Sequence, residues 1–206
     1  MQIKICGLNN IGNIASVLSL RPDYIGFIFH KGSKRYIDNS PALADYIANI
    51  NITKKTGVFV NASQNEIAAA IYRYKLDVVQ LHGAETPAAC SMVPRGVTVI
   101  KAFCVDKSFD FNITAAYTNC CDYFLFDTAS NDYGGTGRSF DWSLLSNYTI
   151  GVPFFLSGGI GPEHASRLKK TQYKSLFAID INSRFETTAG IKNINLLKSF
   201  IHELRN

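Results

Sequence analysis

Short runs of apolar residues, rich in β-branched and aromatic side chains, recur along the chain about every 20–33 residues. Several of them are continuously apolar rather than alternating, as is typical of parallel strands that are buried on both faces. We therefore predict eight buried strands. They are Ile3–Cys6, Tyr24–Phe29, Thr56–Val60, Val78–Leu81, Thr98–Phe103, Tyr123–Asp127, Pro153–Leu156 and Leu176–Ile181.

The segments between these runs have helical spacing. Ser63–Tyr74 begins with a capping serine, has Glu66 three residues later, and carries apolar residues on one face. Ser40-Pro41 and Pro162 mark further helix starts, because proline is favoured in the first turn. Asn10–Leu20, Pro162–Lys170 and Asn193–Leu204 complete the set, and the signal is weaker after the fourth, fifth and sixth runs.

Strands that alternate with helices predict a parallel α/β sheet, and eight such units favour closure into a (β/α)8 TIM barrel. The 206 residues are close to the minimum of about 200 for that fold. No linker, low-complexity stretch or charge block divides the sequence. We therefore expect one catalytic domain over residues 1–206.

Charge and cysteine content narrow the function classes. The net charge of +5 is scattered rather than gathered in a stripe, which argues against a nucleic-acid partner and suits an anionic small molecule. The sequence shows neither a signal peptide nor an apolar run of about 18 residues, so we expect a cytoplasmic protein without a membrane partner. Five cysteines without a CxxC spacing indicate reduced thiols and no metal site.

In such barrels the chemistry lies where the strands end, so the residues after each run are the candidates. Ser157-Gly158-Gly159 follows the seventh run and precedes a helix, which favours a phosphate site, although a tight turn alone would also need glycine. Gly134–Gly137, which includes Gly135, would form either a loop over the substrate or an ordinary flexible loop.

Cys6 and Asp127 are the acid–base candidates, because each follows an apolar run directly. A thiolate can act as a base, whereas most free cysteines are simply buried apolar residues. An aspartate can donate or accept a proton, and would otherwise be a cap or an ion-pair partner. Cys104 is the alternative nucleophile, whereas Cys120 and Cys121 precede the sixth strand and are expected to pack at the opposite face of the barrel.

Arg35 would hold a substrate carboxylate through two hydrogen bonds, unless it lies in a solvated basic loop. His82 is a poor metal candidate, because no second ligand stands four residues away. We expect it to form a hydrogen bond in the core or to the substrate. Trp142 is expected to pack a helix against the barrel.

Taken together, these motifs resemble the phosphoribosylanthranilate isomerase family from residue 3 to about residue 200. The matching segments, in chain order, are Lys4–Gly7, Gly26–Phe29, Ser33–Tyr36, Gly57–Asn61, Val79–Gly83, Asp127-Thr128, Gly134–Gly137, Phe140–Trp142 and Leu156–Gly159. The resemblance implies an enzyme of tryptophan biosynthesis that carries out an Amadori rearrangement. It converts N-(5-phosphoribosyl)anthranilate to 1-(2-carboxyphenylamino)-1-deoxyribulose 5-phosphate without a cofactor or a metal.

The resemblance also implies roles for individual residues. Cys6 matches the general base of the family and Asp127 its general acid, while Arg35 matches the residue that faces the anthranilate carboxylate. Further matches lie near the reacting atoms, at Gln80 and His82, and at the phosphate end, at Gly158, Gly159, Asp180 and Ser183.

One position departs from the family pattern, because Arg184 stands after the eighth strand where members commonly have glycine. An arginine there would add positive charge or crowd the phosphate loop. A related histidine-pathway isomerase has an aspartate where this chain has Cys6, which argues against that function. The remaining alternative is a barrel that binds a phosphorylated ligand without catalysis or with another specificity. We expect a monomer, with a homodimer as the alternative.

Overall fold

The computed structural model describes residues 1–128 and 141–206. Eight parallel strands form a closed barrel in sequence order, and β1 pairs with β8 to complete it, which confirms the predicted TIM barrel. The strands are β1 Gln2–Ile5, β2 Tyr24–Ile28, β3 Lys54–Phe59, β4 Val78–Leu81, β5 Thr98–Val105, β6 Tyr123–Thr128, β7 Phe154–Leu156 and β8 Leu176–Ile181.

The helices pack around the barrel, as the strand–helix alternation predicted. They are α1 Ile11–Leu18, α2 Pro41–Ala48, α3 Gln64–Tyr74, α4 Pro87–Ser91, α5 Ala165–Lys170 and α6 Ile194–Arg205. The Ser63–Glu66 capping box opens α3, and the side chain of Ser40 caps α2 with Pro41 in its first turn. None of the helices in the described ranges is long and apolar enough to cross a membrane.

Of the three segments with weak helical signals, the one after β4 forms the short α4, and the other two form 3₁₀ helices. They are Phe111–Tyr117 after β5 and Trp142–Asn147 after β6, while the predicted helix at Pro162 begins as a 3₁₀ turn, Pro162–His164, before α5. A 3₁₀ helix Ser183–Phe185 and a hairpin of β9 Glu186–Thr188 and β10 Ile191–Lys192 follow β8. The hairpin was not predicted, because its strands are too short to give an apolar period.

Side chains on each strand alternate between the helix layer and the barrel interior. A small apolar cluster fills the barrel interior on the side of the amino ends of the strands. It comprises Tyr24, Val78, Ile100, Ala102, Leu125, Phe155 and Ala178. The larger cluster lies between strands and helices and includes Trp142, which is 1% exposed. The Trp142 ring contacts His164 and stacks under Arg167, so it joins the segment after β6 to the one after β7.

Candidate active site

Polar side chains replace the apolar filling toward the carboxyl ends of the strands. Lys4, Gln80 and Asp180 are buried, and in each case the two residues next to them on the strand are apolar. Side chains two residues apart on a strand face the same way, so Cys6, two residues after Lys4, and His82, two residues after Gln80, also face the barrel interior, closer to its open end. Asp127, at the carboxyl end of β6, faces the same space. The predicted candidates from β1, β4, β6 and β8 therefore share the interior of one end of the barrel.

The Asp127 carboxylate has a partner on each oxygen. The backbone N–H of Thr128 donates to Oδ1 at 2.8 Å, and His82 Nε2 lies 3.3 Å from Oδ2. Gln80 Nε2 lies 2.7 Å from His82 Nδ1. With Gln80 donating, the ring proton of a neutral His82 resides on Nε2 and is directed at Asp127. This arrangement forms a polar chain from the buried amide to the carboxylate.

Cys6 lies directly after β1 and is 4% exposed. A glycine makes room for its side chain, because a Cβ built on Gly26 would lie 2.6 Å from Cys6 Sγ. Burial raises the pKa of the Cys6 thiol, while the nearby ammonium groups of Lys4 and Lys192 act against that rise. The thiol is therefore enclosed beside cations that would stabilise its thiolate.

Lys4 and Asp180 form an ion pair inside the barrel. They are register partners on β1 and β8, and Lys4 Nζ lies 3.0 Å from Asp180 Oδ2. Burial works against the charge of Lys4, but Asp180 and Cys6 outweigh it and raise the pKa of the ammonium group. Asp180 was predicted at the phosphate end; its ion-pair partner is Lys4, beside Cys6.

Arg35 contacts a carboxylate of this chain. Its Nε lies 2.9 Å from Glu186 Oε1 and its Nη2 lies 2.8 Å from Oε2, so the contact is bidentate. Lys192 Nζ reaches the same carboxylate at 2.6 Å and Asn182 Oδ1 at 2.7 Å. Burial works against ionisation of Glu186, but Arg35 and Lys192 lower the pKa of that carboxyl. Two cations and one carboxylate leave this cluster with a net positive charge.

The glycine turn after β7 lies against the acid candidate. Gly158 and Gly159 both have positive φ, +88° and +63°, which favours glycine in this turn. A Cβ on Gly158 would lie 2.8 Å from Asp127 Oδ1 and 2.6 Å from the backbone nitrogen of Thr128. The turn therefore needs glycine for its own backbone, and the close approach leaves no room for a side chain.

The loops after β7 and β8 are joined by the residue that departs from the family pattern. Arg184 Nη2 lies 2.7 Å from Glu163 Oε1, and both side chains are substantially exposed. Ser183 begins the 3₁₀ helix that carries Arg184. The arginine thus forms an ion pair between the two loops that were predicted to hold phosphate.

Two further predicted candidates are Gly135 and Cys104. Gly135, with the rest of its glycine-rich segment, lies outside the described residues. Cys104 is the register partner of Asp127 and is exposed; partial desolvation and the nearby charge of Asp127 raise the pKa of its thiol. The sequence did not indicate Glu186 and Lys192 as candidates. Glu186 binds Arg35, which is 151 residues away along the chain, and Lys192 binds Glu186.

Comparison with known proteins supports the same assignment. The family model described as N-(5'phosphoribosyl)anthranilate (PRA) isomerase matches residues 3–203. A relative named N-(5'-phosphoribosyl)anthranilate isomerase from Parabacteroides distasonis is 42% identical over 206 residues, covering 99% of this chain and 93% of its own.

Solved structures agree with these sequence comparisons. The phosphoribosyl anthranilate isomerase of Thermotoga maritima superposes with a TM-score of 0.86 at 32% identity, over 100% of this chain and 98% of its own. A structure of a phosphoribosyl anthranilate isomerase in complex with reduced 1-(o-carboxyphenylamino)-1-deoxyribulose 5-phosphate gives a TM-score of 0.81 at 30% identity, with 100% and 98% coverage. With its barrel, its inward-facing Cys6 and Asp127 and these matches, the chain belongs to the N-(5'-phosphoribosyl)anthranilate isomerase family.

Proposed function

We propose that this isomerase of tryptophan biosynthesis converts N-(5'-phosphoribosyl)anthranilate to 1-(2-carboxyphenylamino)-1-deoxyribulose 5-phosphate with Cys6 as general base and Asp127 as general acid. The observation that carries the proposal is that a buried thiol and a hydrogen-bonded carboxyl face the interior at the same end of one barrel. An aldose–ketose rearrangement needs this pair of groups, since it consists of proton transfers.

The reaction follows from these two groups. Asp127 donates its proton to the ribose ring oxygen as the C1–O bond breaks, which gives a Schiff base with the anthranilate nitrogen. The Cys6 thiolate then removes the C2 proton, which gives an enolamine. Tautomerisation moves the C2 hydroxyl proton to C1 and forms the ketone, and a proton returns from the Cys6 thiol to Asp127 through solvent.

The surroundings of Cys6 suit a base. The Lys4 ammonium favours the thiolate by charge, and its ion pair with Asp180 fixes it in the barrel interior. Desolvation makes a thiolate more basic, so the burial that raises the pKa of Cys6 also strengthens it as an acceptor of the C2 proton.

The surroundings of Asp127 suit a group that changes protonation during turnover. When Asp127 is ionised, a neutral His82 donates to Oδ2 from Nε2; when it is protonated, the same nitrogen can accept. Gln80 can pair with either form of Nδ1, because its amide offers both a donor and an acceptor. His82 and Gln80 therefore serve as positioning residues for both protonation states of Asp127.

The two ends of the substrate carry negative charge, and the site offers matching groups. The positive cluster of Arg35 and Lys192 about Glu186 lies beside Cys6 and suits the anthranilate carboxylate. Gly158 and Gly159, with Ser183 across the neighbouring loop, would present backbone N–H groups to the phosphate. Asp180 then acts through Lys4 rather than on the phosphate, which a carboxylate would repel.

The test is turnover of phosphoribosylanthranilate, followed by the loss of anthranilate fluorescence. We expect Cys6→Ala and Asp127→Asn each to lower kcat by about 10²–10⁴-fold, the usual contribution of a general acid or base. Binding of the reduced product analogue should stay within a few-fold of the unchanged protein, because neither substitution removes a group that holds the carboxylate or the phosphate.

Cys104→Ala distinguishes the two cysteines at this end of the barrel, and we expect it to retain turnover. Wild-type kcat in Cys6→Ala would refute the assignment of the base. A folded, unmodified protein that binds the product analogue but does not turn over substrate would instead support a barrel that only binds a phosphorylated ligand.

A further inference from the structure

Three cysteines meet outside the active site. Cys90 lies in α4, whereas Cys120 and Cys121 lie in the turn that leads into β6. Their sulfur atoms all lie within 4.8 Å of one another, and the Cys120 and Cys121 sulfurs are 3.9 Å apart. Structural cysteines usually pack singly against apolar neighbours, so three sulfur atoms in mutual contact call for another explanation.

The local fold explains how the sulfurs come together. The backbone N–H groups of Cys120 and Cys121 both donate to the carbonyl of Tyr117, at 3.2 and 3.1 Å. This turn closes the 3₁₀ helix Phe111–Tyr117, which packs against α4. Two adjacent cysteines are thereby directed toward Cys90 from one side.

The spacing of the sulfurs matches the needs of a metal ion. A Zn–S bond of about 2.3 Å places thiolates of one ion about 3.8–4.0 Å apart. The 3.9 Å between Cys120 and Cys121 already meets this requirement, and the other two separations need to close by less than about 1 Å. Soft thiolate sets select zinc or copper(I) over hard cations.

The exposure of the three side chains fits the same chemistry. Cys90 and Cys121 are 1% and 8% exposed, whereas Cys120 is partly exposed and gives an ion a way in.

We propose that Cys90, Cys120 and Cys121 form a three-thiolate site for Zn²⁺, with the fourth position open to water. The sequence did not predict it, because the ligands are spaced by 30 residues and then by one, which matches no recognised zinc pattern. The site is separate from the reaction centre, since Cys120 and Cys121 precede β6 whereas Asp127 lies near its far end.

The test uses the full chain with Cys6→Ser and Cys104→Ser, so that the three thiols of the cluster are the only ones present. Under a non-thiol reductant, we expect one equivalent of Co²⁺ to give thiolate charge-transfer bands and the visible bands of a tetrahedral ion. Zn²⁺ should abolish both sets of bands. At Zn²⁺ concentrations 100-fold above Kd, the melting temperature should rise by about 5–10 °C.

Cys120→Ser in this background is the matched variant, because its partly exposed side chain can be replaced with little risk to folding. We expect it, and Cys90→Ser, to lose the bands. The same single substitutions in the otherwise unmodified chain should leave isomerase turnover unchanged, which also verifies folding. The proposal is overturned if no bands form, or if they persist after Cys90 is replaced.

Discussion

The most direct test of the active-site geometry is Gly26→Ala, a substitution at a residue that packs against Cys6. Gly26 lies on β2 and faces Cys6 across the β1–β2 pair. Its carbonyl accepts hydrogen bonds from the N–H groups of Gly7 and Leu8, at 2.9 and 3.1 Å. These bonds hold the Gly26 backbone in place, so an added methyl group must displace its neighbour.

The size of the displacement follows from the contact. The new Cβ would lie 2.6 Å from Cys6 Sγ and 3.1 Å from Cys6 Cα. An ordinary van der Waals separation is about 3.5–4.0 Å, so the sulfur must move by about 1 Å or adopt another rotamer. Overpacking of this kind costs about 1–3 kcal/mol of stability.

The catalytic cost is expected to be larger than the cost in binding. A misplacement of about 1 Å lowers a rate by about 10²-fold, which corresponds to about 2.7 kcal/mol of transition-state stabilisation. We therefore expect kcat of Gly26→Ala to fall about 100-fold in the anthranilate fluorescence assay. KM should change little, because Arg35 and the glycine turn after β7 are untouched.

Gly12→Ala is the matched control, since it adds the same methyl group in helix α1, where the new Cβ meets only Asn10 Oδ1 at an ordinary 3.5 Å. This control should keep full activity and gain up to about 1 kcal/mol of helix stability. If Gly26→Ala is folded and turns over at the wild-type rate, then Cys6 does not need the position that this structure gives it.

Three further predictions concern charge, pH and packing. Glu186→Gln should lower the free energy of unfolding by about 3–5 kcal/mol in denaturant titrations, because it leaves the buried ammonium of Lys192 without its counter-ion. The rate at which iodoacetamide alkylates Cys6, followed by mass spectrometry of the peptide that contains it, should rise with pH by about tenfold per unit between about 6 and 8, because burial raises the pKa of the Cys6 thiol and only the thiolate reacts; a rate independent of pH would mean that Cys6 is already ionised. Trp142→Ala should cost about 3–5 kcal/mol in thermal or denaturant unfolding, because its fully buried ring packs under Arg167.

The barrel could be predicted from the sequence because several of the buried strands are continuous apolar runs, which are visible without knowledge of the neighbouring strands. The sequence also placed Cys6 and Asp127 at the ends of such runs, which is a local property. The partners of these groups were not local. The ion pair of Lys4 with Asp180 joins opposite ends of the chain, so no window of the sequence contains both residues.

Local signals also fail where short elements depend on packing. The 3₁₀ helix Phe111–Tyr117 lacks the apolar period of a longer helix, and the hairpin of β9 and β10 is held by contacts with Arg35 and Asn13 from distant segments. The sequence does not predict the cysteine cluster for the same reason, because α4 and the turn before β6 come together only in the folded barrel. Roles of Ser183, Gly158 and Gly159 at the phosphate, and the monomeric state, stay predictions.

The pairing of β1 with β8 has a consequence for the order in which the enzyme becomes competent. The first strand emerges from the ribosome long before the last, and until β8 arrives, the edge of β1 has no partner and Lys4 has no counter-ion. A nascent chain that has folded six or seven units therefore still lacks the charge arrangement around Cys6. Closure of the seam is thus the step that both completes the sheet and supplies the Lys4–Asp180 ion pair beside Cys6.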